Sequence, residues 1–184
     1  MNNNYLDQMN TLLQFNFIPA GFEITQSVCL DSVVESVKYD ALVFALNNKK
    51  IVYRKANITP DRPGSFLAIW QRPVEGKNTK PKPLSIDELD YLFVKVNDVD
   101  QTQSGLFIFP VSELIKRGIV QSDNKKGKTG FRVFAPWSAD RGSIKTRVFS
   151  QSGKKTQAWQ LPFFVNINND GWIEPSIIQK LIEI

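Results

Sequence analysis

The sequence predicts a mixed α and β fold: one domain with a central mixed β-sheet flanked by helices. Three observations carry that expectation. Three β-prone runs, 39–46, 50–55 and 65–71, follow one another closely, joined by Asn47-Asn48 and by a turn-rich stretch at 59–64. Helical spacing marks both ends of the chain, with Leu6, Met9, Leu12 and Leu13 on one stripe and Ile177, Ile178, Leu181 and Ile182 on another. The length, 184 residues, is that of about one domain and can bury a core without a disulfide or metal staple.

Taken in order, 5–15 is a helix with Asn3 or Asn4 as its cap, ended by Pro19 and Gly21. Residues 22–24 fit a short strand. The stretch 27–37 mixes helix and strand signals. Glu23, Asp31, Glu35 and Asp40 around it read as a solvated face beside a core strand, with a metal site as the alternative. The run 39–46 is apolar enough to be buried on both faces. Asn47-Asn48 tolerates positive φ and suits a tight hairpin. In 50–55, Ile51 and Tyr53 point one way and Val52 and Arg54 the other. An arginine at the end of a core strand either pairs with a carboxylate or faces an anion. Pro60 makes Thr59 extended, Pro63-Gly64 marks a turn, and Arg72-Pro73 ends the third run.

Residues 74–88, with Lys77, Lys80, Lys82, Pro81 and Pro83, read as an extended loop. Strands follow at 91–97 and 105–110, then a short helix at 112–116 with Ser112 as cap and Gly118 as stop. Residues 125–130 form a basic, glycine-containing loop without the GxxxxGK[ST] spacing of a nucleotide cradle. A strand at 131–134 sets Arg132 opposite Phe131 and Val133. Residues 138–151 are polar and basic, 156–161 is a short helix or turn, 163–165 is core, and 177–184 is the final helix.

Composition narrows the chemistry. There is no histidine and one cysteine, Cys29. Histidine-based triads and the common zinc sites are therefore absent, and Mg²⁺ on carboxylates is the metal chemistry left open. No cofactor is expected. A lone cysteine forms no internal disulfide and suits a reducing cytoplasm. The N-terminus lacks the basic and apolar regions of a secretion signal, and no run of about 18 apolar residues exists, so no membrane partner is expected. The net charge of +5 is concentrated: residues 113–158 hold 11 basic and 3 acidic residues. That asymmetry suits an anionic partner.

Six fragments, in this order and spacing, resemble the MepB-like family of small bacterial proteins. They are Tyr39-Asp40-Ala41-x-x-Phe44, Tyr53-Arg54-Lys55-Ala56-x-x-Thr59-Pro60-x-x-x-Gly64-x-Phe66, Trp70-x-Arg72, Phe107-x-Phe109-Pro110, Arg132-Val133-x-x-Pro136-Trp137 and Thr156-Gln157-x-Trp159-Gln160. The family is named for a protein encoded beside a multidrug efflux pump and its regulator. The resemblance implies a restriction-endonuclease-like α/β core and a nucleic-acid-binding role, though a fold alone does not carry function.

The function expected is nucleic-acid binding, to DNA first, through the phosphate backbone and without evident catalysis. Arg54, Lys55, Arg72, Lys125, Lys126, Lys128, Arg132, Arg141, Lys145, Arg147, Lys154 and Lys155 are the expected phosphate contacts. Trp137 and Trp159 would stack on bases, and Gln157 and Gln160 would reach bases or phosphate, unless these side chains belong to the core. All of these charges are expected to line one trough around 39–72. A Mg²⁺-dependent nuclease using Asp40, Lys55 and Glu35 is one alternative. Such enzymes place an acid two residues before the lysine, and here that position is Tyr53. The other alternative is a small-ligand or protein-interaction module linked to efflux, with Trp70 and Arg72 lining the pocket.

Overall fold

The computed structural model describes residues 4–31, 39–71, 80–139, 144 and 147–183. In chain order the elements begin with α1 (Asn4–Leu12) and a π-helical turn (Leu13–Phe17). Strands β1 (Ile24–Leu30), β2 (Leu42–Leu46), β3 (Lys49–Lys55), β4 (Asn57–Ile58), β5 (Ser65–Ala68), β6 (Trp70–Gln71) and β7 (Lys82–Pro83) follow. Next come β8 (Tyr91–Asn97), β9 (Ser104–Pro110), α2 (Val111–Lys116), β10 (Gln121–Ser122), β11 (Lys125–Lys126) and β12 (Gly130–Val133). The chain closes with α3 (Gln151–Gln160), β13 (Phe164–Ile167) and α4 (Pro175–Leu181). This is the expected class, a central mixed sheet flanked by helices.

The main sheet has six strands in the order β1-β2-β3-β8-β9-β13. Its neighbours are antiparallel except β3 and β8, which run parallel with Ile51 opposite Tyr91 and Lys55 opposite Lys95. A parallel pair needs a long crossover. Here the crossover is β-structured: β4 and β5 join β12 in a three-stranded sheet that lies over one face. That sheet, with α2 and α3, covers Val52, Leu92, Val94, Phe107 and Phe109. The other face, carrying Ile51, Tyr53, Phe93, Leu106 and Ile108, is covered by α1, the π-helical turn and α4. Strand β3 is thus sealed on both sides, and Ile51, Val52, Tyr53 and Arg54 are all buried. The Asn47-Asn48 hairpin forms as expected, at φ of 48° and 60°.

Arg54 is only 1% exposed. Its Nη2 donates to Asp31 Oδ2 at 2.5 Å and its Nη1 to the Tyr53 carbonyl at 2.8 Å. Burial weighs against the guanidinium's charge, and the Asp31 carboxylate opposes that effect. The residue therefore pairs inside the fold, and its expected role as a phosphate contact is corrected: no nucleic acid reaches it. The four N-terminal carboxylates are not one solvated face either, since Asp31 holds Arg54 and Asp40 holds Lys55 at 3.5 Å; Glu35 lies outside the described residues.

Several local expectations shift for identifiable reasons. β1 runs to Leu30, and register irregularities between Ile24 and Gln26 and between Gln26 and Cys29 break the two-residue alternation that would mark it as a strand. α2 starts at Val111 with Pro110 in the cap position, so Ser112 lies inside the helix. Lys125–Lys126 pairs with Gln121–Ser122 as a small hairpin and not as a free loop. α3 begins five residues earlier than its apolar residues suggest, because the Ser150 hydroxyl caps it by accepting from the Gly153 N–H at 3.1 Å. Lys82–Pro83 pairs with Trp70–Gln71. α4 starts with Pro175 in its first turn and ends at Leu181. No helix among the described residues is long and apolar enough to cross a membrane.

Breaking the buried pair from one side leaves an uncompensated charge. Asp31→Ala and Arg54→Ala should each lower unfolding stability by about 3–5 kcal/mol, read by chemical denaturation. Arg54→Met, which keeps bulk and removes charge, should cost less than Asp31→Ala. Parent-like stability in Asp31→Ala would contradict the assignment.

Candidate nucleic-acid interface

The residues expected to bind nucleic acid divide into three groups. The first turns inward. Gln160 is fully buried and bridges two stretches of backbone: its Oε1 accepts from the Phe134 N–H at 2.9 Å, and its Nε2 donates to the Arg132 carbonyl at 2.8 Å. Gln157 donates to the Ala135 carbonyl at 2.9 Å. Both glutamines are thus fasteners of α3 to β12 and the segment after it, which corrects their reading as base or phosphate contacts. Trp137 packs edge-on against Phe164 with ring centroids 5.4 Å apart, so it is a core-flanking residue and not a free stacking platform.

Arg132 is also committed. Its Nη1 donates to the carbonyls of Pro63 and Gly64, at 2.9 and 3.2 Å, and its Nη2 to the Thr59 hydroxyl. It acts as a pillar under the 59–64 turn. Gly64 is required there: its φ is +73°, and a Cβ would lie 2.7 Å from the Val133 carbonyl oxygen. Burial and then the charge of Arg62 push the Arg132 pKa down; Asp61 opposes this, and Arg147 adds to it. On that turn Arg62 is paired with Asp61 at 2.9 Å, and Arg147 is exposed.

The second group is the carboxyl end of β3. Lys55 meets Asp40, which sits at φ 45° just before β2, and stands in register with Lys95 on β8. Tyr53 occupies the position two residues before Lys55; burial, then the Asp40 charge, push its phenol well above the ordinary range. This set does not fit a two-carboxylate Mg²⁺ site. The acid position is a phenol, Asp40 is engaged with Lys55, and among the described residues no three His, Cys, Asp or Glu side chains converge.

The third group forms a ridge on the opposite face of the sheet. The Lys125 side chain runs past Gly118, its Cδ 3.8 Å from where a Cβ there would stand. The neighbouring Arg117 guanidinium lies over the Trp159 ring, 4.9 Å from its centroid. Trp159 packs against Phe109 beneath and follows Lys155 by one helical turn. Lys125, Lys126, Lys128, Lys154 and Lys155 are exposed, and among the described residues none has an ion-pair partner. Arg117 and Lys116 share Glu113, at 2.7 and 3.7 Å. Among the described residues the basic side chains therefore do not gather in one trough around 39–72; the exposed ones divide between this ridge, the surroundings of the 59–64 turn and the strand end. Arg72, Arg141 and Lys145 lie outside the described residues. Lys116 and Arg117 enter the sequence reading only through the charge count of 113–158, because a basic pair before a helix-ending glycine reads as a dipole complement.

Gln160→Ala should therefore act on folding. It strands a buried N–H and a buried carbonyl, at about 1–3 kcal/mol for each group, and the measured loss in thermal stability should not be matched by a loss of nucleic-acid affinity in the folded fraction.

The comparisons with known proteins agree with this architecture. The crystal structure of MepB is similar at a TM-score of 0.65 and 28% identity, over 78% of this chain and 87% of that one. A bacterial homing endonuclease aligns at a TM-score of 0.33 and 17% identity, over 61% of this chain and 75% of that one, too slight an overlap to carry an argument. No curated protein matches the sequence. The MepB-like family matches residues 34–166, which hold β2, β3, the crossover, β8, β9 and α3, and the chain belongs to that family.

Proposed function

We propose that the protein binds nucleic acid, DNA in the first instance, through the phosphate backbone and along the ridge that carries Lys125, Lys126, Lys128, Arg117, Lys154 and Lys155. The observation that carries this reading is the stack of Arg117 on Trp159, which brings the end of α2 onto α3 one turn from Lys155, while Lys125 of the hairpin runs past Gly118 beside it. Ammonium groups without carboxylate partners are free to displace condensed counterions, which gives affinity without sequence reading. Trp159 supplies a rigid bed for Arg117 and keeps only part of its ring outward, so stacking on bases is secondary to charge.

Fluorescence anisotropy with a labelled duplex tests this. The triple change of Lys125, Lys126 and Lys128 to Ala should weaken binding at an unchanged melting temperature. It should also flatten the salt dependence, by about 0.9 in the log–log slope for each phosphate no longer neutralised. Lys154→Ala with Lys155→Ala should weaken binding further. Affinity and salt slope unchanged in both variants would reject the ridge. Salt-insensitive binding would move the reading to a small-ligand or protein-interaction role. Cleavage of plasmid or single-stranded DNA that needs Mg²⁺ and is lost in Asp40→Asn would favour the nuclease alternative.

A further inference from the structure

On the sheet face away from the ridge, a cavity of about 580 Å³ opens between α1 and the turn around Gly171, with Tyr53 and Lys95 among its lining residues. That is the size of a small-molecule site. Its frame is fastened. Asn16, buried in the π-helical turn, donates to the Leu12 and Gly171 carbonyls at 3.1 and 3.0 Å and accepts from the Ile173 N–H at 2.7 Å. This ties the end of α1 to the turn that carries Trp172. π-Helical turns interrupt α-helices at a cost in regularity and recur at functional sites.

Two features of the lining are not explained by folding. Phe15, on the π-helical turn, is 72% exposed and Trp172 is 41% exposed, and both line the cavity with Tyr5. Lys95 is the second. It stands half-buried in register with Lys55, and among the described residues its ammonium has no hydrogen-bond or ion-pair partner. Burial, and then the charge of Lys55, work against its ammonium. Asp40 meets Lys55, and among the described residues no carboxylate pairs with Lys95. An ammonium held beside another cation costs stability unless something anionic meets it. Two carboxylates, Asp7 and Asp170, also line the cavity; both are exposed, and Asp170 accepts from the Trp172 N–H at 3.1 Å. They oppose each negative charge on a ligand, so one charge met by Lys95 is tolerated better than two.

We propose that this cavity binds a planar aromatic monoanion, its carboxylate or sulfonate on Lys95 and its rings against Tyr5, Phe15 and Trp172. The site is independent of the nucleic-acid reading, since it uses the opposite face and none of the ridge.

The test is calorimetric titration of the full chain with 2-naphthoate, its neutral analogue 2-naphthamide, and adenosine 5′-monophosphate. Naphthoate should bind at least tenfold more tightly than the amide and more tightly than the dianionic nucleotide. Lys95→Met should abolish the preference for naphthoate over the amide, while its melting temperature stays at or above the parent's. Gln8→Trp, at an exposed lining position, should weaken both naphthyl ligands and leave the core untouched. The triple Lys125, Lys126 and Lys128 variant should bind naphthoate like the parent. Equal affinity for acid and amide, an unchanged preference in Lys95→Met, tighter binding of the nucleotide, unchanged affinity for both naphthyl ligands in Gln8→Trp, loss of naphthoate binding in the triple variant, or no heat at millimolar ligand would each overturn the proposal.

Discussion

The structure depends on β3 being covered from both sides. A strand in that position has no solvent-facing row on which to put a charge, yet position 54 is arginine. The conflict is resolved by Asp31, which the β1–β2 pairing delivers to the guanidinium: the Asp31 N–H donates to the Ala41 carbonyl at 3.0 Å, and the carboxylate then reaches Arg54. One ion pair thereby couples the edge of the sheet to its middle. Such pairs are weak as sources of stability and strong as conditions on it, because either partner alone is worse than neither.

The parallel step from β3 to β8 has the second consequence. It sends the chain after β3 across one face, where β4 and β5 find β12 and build a small second sheet. That sheet and α3 need fasteners, and the chain uses polar side chains for them: Arg132 under the 59–64 turn, Gln157 and Gln160 between α3 and the backbone of 132–135. Each of these side chains meets a backbone partner, as buried polar groups must. The fragments through which the chain resembles its family include these residues, so much of the family pattern in this half of the chain describes assembly and not contact with a ligand.

Chemistry is accordingly pushed to the periphery and separated. One face carries the exposed lysines of α3 and the β10–β11 hairpin, linked through Arg117 and Trp159. The other carries the cavity framed by α1 and the turn at Gly171. Between them lies a sheet packed on both sides mainly by apolar side chains, with Arg54 the buried charged residue among those described. The carboxyl end of the parallel pair, where open sheets commonly place ligands, brings Lys55 and Lys95 together. Asp40 neutralises only one of them.

What the sequence determined by itself is local. Alternation, the Asn47-Asn48 turn, the Pro63-Gly64 turn and the amphipathic ends were readable because each depends on a few neighbouring residues and their backbone preferences. The excess of positive charge in 113–158 was readable for the same reason, and so was the dilemma posed by Arg54. Tertiary structure decided which horn of that dilemma applied, because Asp31 is twenty-three residues away and only strand pairing brings it near. It also decided that Gln160 and Arg132 face inward, that Lys116 and Arg117 join the ridge, and that Lys95 stands beside Lys55. A side chain's type states what bonds it can make; whether solvent, backbone or an acid takes them is settled by packing between segments distant in the chain.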